Sequence, residues 1–411
     1  MANRRPLEKP ESPLQPRRVL QDFGGLYAAN AVVAFLFACT GPVAIILTMG
    51  AQGRLAESDL VSWIFGGFFL NSLLSIACSL AYRQPLVFFW SIPGTVLVGP
   101  ALSHLSFPEV IGAFLATGVL MLLLGLSGWM RRAMDAVPMP IVMAMVAGVF
   151  LRFGVDLVRA FRDEPRIALP MTAAFVLLTF MPRIGRAVPP LIGALAIGAI
   201  AVGLLGMFRP SEGPLFGIAQ PTIYTPRFSW TAMIELVVPL AITVLVVQNA
   251  QGIAILKTNG HNPPTNTITA ACGAGAIVTA LVGAVPTCLT GPVNAVISAS
   301  GEKDRQYTSA IFIAILGLAF GLFAPFFTRL MLATPAAFIA TLAGLAMLRV
   351  LQTSFVASFR DRHTLGALVC FLVTVADVAI FSVGAAFWGL VFGLATTLLL
   401  ERPERQAGAA K

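Results

Sequence analysis

Charge-free stretches recur along the whole chain: Phe23 to Gly53, Leu60 to Tyr82, Val110 to Met130, Ala136 to Leu151, Ala187 to Phe208, Leu236 to Leu256, Gln306 to Thr328, Leu330 to Leu348 and Val378 to Leu400. Each approaches or exceeds the roughly 17 to 25 residues that a helix needs to cross a bilayer. Shorter or proline-interrupted apolar segments lie between them, at 84 to 102, 166 to 182, 265 to 284, 286 to 300 and 364 to 376. The pattern predicts an all-α polytopic membrane protein of about 14 spans.

Composition agrees with that pattern. Charged residues make up 11% of 411 positions and hydrophobic residues 57%, whereas a water-soluble domain carries about 25% charged residues. The net charge of +9 does not point to nucleic acid, because the basic residues are scattered between spans and form no soluble basic module. A cytoplasmic N-terminus places most of the 27 Lys and Arg on the inside; the run Arg159, Arg162, Arg166 is the main exception. Residues 1 to 22 and 401 to 411 read as solvated cytoplasmic tails. The five cysteines lie in apolar segments without metal or redox spacing, so packing explains them, and no cofactor is implied.

An internal repeat organises the chain. Gly41 to Gly50 reads GPVAIILTMG and Gln251 to Gly260 reads QGIAILKTNG; at an offset of 210 residues, Ala44, Ile45, Thr48 and Gly50 match Ala254, Ile255, Thr258 and Gly260. One span beyond each copy come WSIPGTVLVGPAL (90 to 102) and PTCLTGPVNAVISAS (286 to 300). Both place a Ser or Thr beside a Pro-Gly or Gly-Pro pair and then a short apolar run, too short to cross as a full helix. Seven spans per half would insert the copies with opposite orientation, as an inverted repeat. Interrupted helices are tolerated in hydrocarbon only where the freed backbone lines a cavity or is buried in protein. Ser91 and Thr290 are natural N-caps of two half-helices, and Pro93 suits a first helical turn.

Helix N-termini attract anions without any Lys or Arg, and no charged residue lies within 85 to 102 or 286 to 300. A singly charged group such as a carboxylate suits such a site. Gln248, Asn249 and Gln251 form the densest polar set; on an α-helix Gln248 and Gln251 share a face. The candidate binding residues are Thr40 and Gly41; Ser91, Pro93, Gly94 and Thr95; Gln248, Asn249, Gln251 and Gly252; and Thr287, Thr290, Gly291, Pro292 and Asn294. Interhelical bonding by these amides and hydroxyls is the competing role. Phe35, Phe37, Phe88, Phe89 and Trp90 could wall an aromatic substrate, although packing accounts for most of the 30 phenylalanines. Among acids, Glu235 is expected near the interface and Asp377 deeper, or at a helix end. His104, His261 and His363 all lie near loops, and no catalytic set of Ser with His, paired Asp or clustered His is present. The chain does not read as an enzyme.

The runs QNAQGIAILKTNGH (248 to 261), WSIPGTVLVGPAL (90 to 102), LRFG (151 to 154) and AFWGL (386 to 390) resemble the benzoate/proton symporter (BenE) family of bacterial inner-membrane transporters, over residues 20 to 400. That family is similar in architecture to uracil and xanthine permeases and to sulfate-type anion transporters. The resemblance implies a seven-plus-seven inverted repeat with short strands before the half-helices of spans 3 and 10. A core would be formed by 23–130 and 229–328, and a gate by 131–228 and 329–400. It implies a small anionic aromatic substrate taken up with a proton and bound between span 8 and the half-helices, both termini cytoplasmic, a lipid bilayer as surroundings, no nucleic-acid partner and scope for a homodimer. One position departs from the nucleobase permeases. Their substrate-binding glutamate, three residues before the span-8 glycine, is here Asn249, and no acid stands at 288 to 290. An amide removes repulsion toward an anionic carboxylate and also removes the obvious proton carrier. An uncoupled or exchange-type anion carrier, or an anion channel, is the alternative.

Overall fold

The computed structural model describes residues 7–10, 16–128, 138–181, 188, 190–209, 216–298, 301–360, 362–378, 380 and 385–401. Most of the C-terminal tail, parts of the N-terminal tail, the 130/131 boundary and the loop arginines Arg131, Arg132, Arg183 and Arg186 lie outside them. The described chain runs α1 (Gly25–Gln52), α2 (Glu57–Tyr82), β1 (Phe88–Trp90), α3 (Ile92–Ala101), α4 (Phe107–Ser127), α5 (Met139–Asp163), α6 (Pro165–Phe180) and α7 (Pro190–Leu204). It continues with α8 (Trp230–Lys257), α9 (Thr265–Ala280), β2 (Thr287–Leu289), α10 (Gly291–Ile297), α11 (Lys303–Leu322), α12 (Ala336–Phe359), α13 (Thr364–Ala376) and α14 (Ala385–Leu400). Among the described residues, seven of these helices are long and apolar enough to cross a bilayer and five more are shorter apolar helices.

Prolines set several helix starts, because a residue without an N–H costs nothing in a first turn. Pro93, Pro108, Pro140 and Pro292 all stand at such positions. The two long apolar stretches 306 to 328 and 330 to 348 need correction on this account. Helix α11 stops at Leu322, a separate short helix covers Ala324–Leu332, and α12 starts after Pro335 and runs to Phe359. Pro325 and Pro335 restart the chain, and Arg329 of the short helix pairs with Glu57 at 2.6 Å.

The two copies of the repeat behave differently. In α1 the helix breaks at Thr40, where φ is −98° and ψ −93°. Pro42 follows, and the Thr40 hydroxyl donates to the carbonyls of Leu36 (2.8 Å) and Phe37 (3.1 Å), so the break leaves those acceptors partnered. Helix α8 runs on through the matching position. The residue aligned with Pro42 is Gly252, which does not force a break, and α8 instead widens into π-helical turns over Met233–Val237 and Thr243–Asn249 before continuing.

Two sets of helices pack on themselves. Helix α12 lies along α5, α13 along α5 and α14, and α6 along α7. In the other set α4 lies along α9, and α11 along α1 and α2. Helices α4 and α9 approach at backbone distance: a Cβ placed on Gly273 would lie 2.3 Å from Leu122 N and 2.8 Å from Gly118 O. The stretch 216–229 joining the two sets is pinned across helix ends. Thr222 N donates to Ser62 Oγ at 3.0 Å and Arg227 N to Pro108 O at 2.9 Å. Tyr224 Oη donates to the Asp59 carboxylate, and burial with that carboxylate raises the hydroxyl well above its ordinary range, so it remains a donor.

Overpacking a close backbone contact costs about 1–3 kcal/mol. Gly273→Val should therefore lower the melting temperature in detergent clearly, while Gly203→Ala, with nothing within 4 Å of the added carbon, should leave it within error. Equal melting temperatures for the two variants would refute the α4–α9 contact.

Candidate functional site

Strands β1 and β2, nearly 200 residues apart in sequence, pair antiparallel: Phe88 faces Leu289, Phe89 faces Cys288 and Trp90 faces Thr287. Each strand is fully buried and each runs directly into a half-helix, α3 or α10. The crossing is completed by Ser91 N donating to Pro286 O (3.1 Å) and Thr290 N to Val87 O (3.0 Å). Unpaired strand edges are not viable in hydrocarbon, so side chains take up the remaining edges. Ser75 Oγ accepts from Phe88 N (2.8 Å) and donates to Phe88 O (3.1 Å), and Ser79 Oγ spans Leu86 N and O in the same way. Asn294 accepts from Val87 N (3.1 Å) and donates to Val87 O (3.1 Å).

The predicted caps divide. Ser91 has extended φ and ψ and accepts from Gly94 N at 3.1 Å, a true N-cap. Its hydroxyl also lies 3.5 Å from Thr243 Oγ1 of α8, and Thr95 Oγ1 bonds back to Ser91 O. Thr290 occupies the matching backbone position but does not cap α10; its hydroxyl accepts from Phe89 N at 3.1 Å across the sheet. A neighbouring strand edge has outcompeted its own helix. The anion-attracting first turn of α3 is thus partly self-satisfied, and that of α10 has no side-chain cap.

Helices α1 and α8 flank the crossing. The first half of α1 packs on α10 and its second half on α3, while α8 meets α3 and β2 through its π-helical turn and α10 beyond it. Asn249, fully buried, ends that turn and accepts from Leu289 N at 2.8 Å, and its amide nitrogen lies 3.4 Å from Cys272 Sγ. It is a strut under β2 in this conformation. Gly252 lets α8 close on β2, since a Cβ there would meet Leu289 O at 3.1 Å and its side chain at 2.8 Å. Gln248 is 5% exposed and its Oε1 has no hydrogen-bond partner among the described residues, whereas Gln251 is exposed and lies against Gly291. These two glutamines therefore do not share one environment. Thr287 Oγ1 donates to Asn71 Oδ1 at 2.7 Å. Thr40, Pro93 and Gly94 are buried, Pro292 is half-buried, and Gly41 abuts Ala346 of α12.

Several contributors were missed from sequence: Asn71, Ser75 and Ser79 on α2, and Thr243 on α8. Only their polarity inside apolar helices marked them. Of the aromatics, Phe88, Phe89 and Trp90 are buried packing groups, with Phe68 against both Phe89 and Trp90, while Phe37 is half-buried between the two helix sets.

A cavity of about 320 Å³ opens beside the crossing, toward the C-terminal end of α3. Val96, Leu97, Pro100, Met49, Gln52 and Glu235 form one wall; Arg152, Arg159, Asp377 and Ala386 lie opposite. None of the predicted binding residues lines it, though it reaches Val96, the residue after Thr95. The two acids differ in burial, and Asp377 stands at a helix end, one of the two positions expected for it. Asp377 is an exposed, left-handed helix-end residue, and Glu235 is 5% exposed with an oxygen 2.8 Å from His104 Nε2.

This architecture defines a membrane transporter fold. The described chain superposes on the transmembrane domain of a cyanobacterium bicarbonate transporter, BicA, with TM-score 0.61 and 16% identity, covering 92% of this chain and 98% of that one. It also superposes on the murine Solute Carrier 26 family member A9 anion transporter in the inward-facing state, with TM-score 0.62 and 13% identity, covering 97% and 74%. At such identities the likeness is one of fold. The sequence goes further: residues 25–399 match the benzoate membrane transport protein family, and the chain belongs to it. It is 27% identical over 391 residues to the benzoate membrane transport protein of Acinetobacter baylyi, covering 93% of this chain and 97% of that protein. It is 29% identical over 368 residues to the inner membrane protein YdcO of Escherichia coli, covering 88% and 92%.

A buried N–H left without its acceptor costs about 1–3 kcal/mol. Thr290→Val should therefore lower thermal stability, and Thr290→Ser, which keeps the acceptor for Phe89 N, should restore most of it. Asn249→Ala should behave like Thr290→Val by stranding Leu289 N. Melting curves in which Val and Ser at 290 are equivalent would contradict the cross-sheet role.

Proposed function

We propose that the protein is a secondary carrier importing an aromatic carboxylate such as benzoate together with a proton across a bacterial inner membrane, with both termini cytoplasmic. The reading rests on membership of the benzoate membrane transport family combined with one observation: the crossing of the half-helices carries no formal charge. From 84 to 102 and from 286 to 300 there is no Asp, Glu, Lys or Arg. A monoanion meets only helix dipoles, hydroxyls and amides there. Gln248 adds a buried amide whose Oε1 has no partner among the described residues and whose NH2 group is the kind of donor that one carboxylate needs. Half-buried Phe37, Val149, Ile339 and Ala386 touch both hydrophobic clusters beside it and supply an apolar surface for a ring.

The self-packing of α5 with α12 and of α4 with α9 supports a gate of 131–228 and 329–400 moving against a core of 23–130 and 229–328. Opposed half-helices after antiparallel strands support two inverted seven-span repeats. The missing acid at 249 keeps one second reading, exchange of anions without protons.

In proteoliposomes, benzoate uptake should rise with an inward proton gradient and saturate. A hydrogen bond to a charged group is worth about 1.5–3 kcal/mol, so Gln248→Ala should raise the apparent KM for benzoate roughly ten- to hundredfold. Saturable benzoate uptake indifferent to the gradient would leave an exchange-type carrier. Absence of benzoate uptake beside robust transport of another solute would overturn the substrate.

A further inference from the structure

The carrier proposed above needs a group that takes up the proton, and the crossing of the half-helices has none. We propose that the pair Glu235–His104 in the cavity wall is that group, so that proton and carboxylate are coupled through the charge of the cavity. The inference rests on the proton-coupled reading of function.

Three observations converge on the pair. Glu235 lies within the π-helical turn Met233–Val237 of α8, is 5% exposed, and still lines the cavity. Its Oε2 is 2.8 Å from His104 Nε2, and the His104 ring is 31% exposed, giving a proton path from cavity or solvent to a carboxylate held in protein. The same helix carries Thr243, Gln248 and Asn249 of the crossing about two to four turns further on. A charge change at 235 therefore acts on the helix that touches Ser91 and β2.

The surroundings decide the sign. Helix α3 (Ile92–Ala101) and helix α14 (Ala385–Leu400) present no titratable side chain to this turn, and the rest of the first half of α8 adds none. Helix α4 brings Glu109, whose carboxylate is taken by Ser106 N and Oγ at 2.9 and 2.6 Å, with Arg227 nearby. Across the cavity, Arg152 and Arg159 both pair with Asp156, at 3.8 and 3.2 Å, and Asp377 stands after α13. Among the described residues, Arg152, Arg159, Asp156 and Asp377 sum to zero. The net charge of these described groups is then that of the pair: −1 with Glu235 ionised and His104 neutral, and zero once one proton from the cavity water binds either partner of the Glu235–His104 hydrogen bond. No other bond changes. An anionic carboxylate is repelled by the first state and accepted by the second, and by linkage the bound anion raises the pair's affinity for the proton to the same extent. The Arg159 that breaks the positive-inside pattern finds its reason here, as a cation balancing the acids of this cavity.

The test compares two transport modes of the reconstituted protein. Wild type should accumulate benzoate under an inward proton gradient and exchange external for internal benzoate at equal pH, faster at acid pH. Glu235→Gln should lose gradient-driven accumulation by about tenfold or more, yet retain exchange at a rate that no longer changes with pH. His104→Gln, at a partly exposed ring, should keep accumulation and shift the pH midpoint of exchange, and it carries the test if Glu235→Gln does not fold. Accumulation by Glu235→Gln at the wild-type level, or an unmoved midpoint in His104→Gln, would overturn the assignment and leave proton coupling standing. Wild-type exchange with no gradient-driven accumulation would overturn the coupling itself, and with it this pair's role.

Discussion

Two three-residue strands buried among helices are the constraint on which the rest of the structure depends. A half-helix that begins within an apolar interior exposes backbone donors and acceptors, and each left unpaired costs several kcal/mol. Here the two extended segments satisfy one another, Phe88 to Trp90 against Leu289 to Thr287. Polar side chains from α2, α8 and α10 close the outer edges: Ser75, Asn249 and Asn294. Because the pairing partners come from distant halves of the chain, neither half can form its half-helix site alone. Folding of the site therefore waits on long-range contact.

That pairing also sets the electrostatics. Polar groups recruited to hold the strands are neutral amides and hydroxyls, since a charge there would need a partner the strands cannot supply. The cavity beside the crossing is lined instead by charged residues, Glu235, Arg152, Arg159 and Asp377, with His104 bonded to Glu235. A neutral binding region next to a charge-tunable cavity divides the labour between recognising an anion and admitting it.

Much of this was legible in the sequence. Ser-Ile-Pro-Gly and Thr-Gly-Pro announced two half-helices because proline and a hydroxyl side chain together specify a first turn, and both appear where expected. The short strands before them followed from family resemblance and not from periodicity, as three residues are too few to show alternation. Two features escaped. Thr290 looked like a cap until a strand edge competed for its hydroxyl. The partner of Glu235 was not legible, because its position along α8 says nothing of His104 arriving from a loop 131 residues earlier.

The central claim is that an aromatic monocarboxylate occupies this molecule. Thermal unfolding of the purified wild-type protein against aromatic carboxylates, inorganic anions such as bicarbonate, and nucleobases tests it most directly, because a ligand at a hundred times its Kd stabilises the folded state by about 2.7 kcal/mol. Benzoate should raise the melting temperature, and more at acid than at alkaline pH. Stabilisation by bicarbonate or a nucleobase, with none by any aromatic carboxylate, would contradict the account.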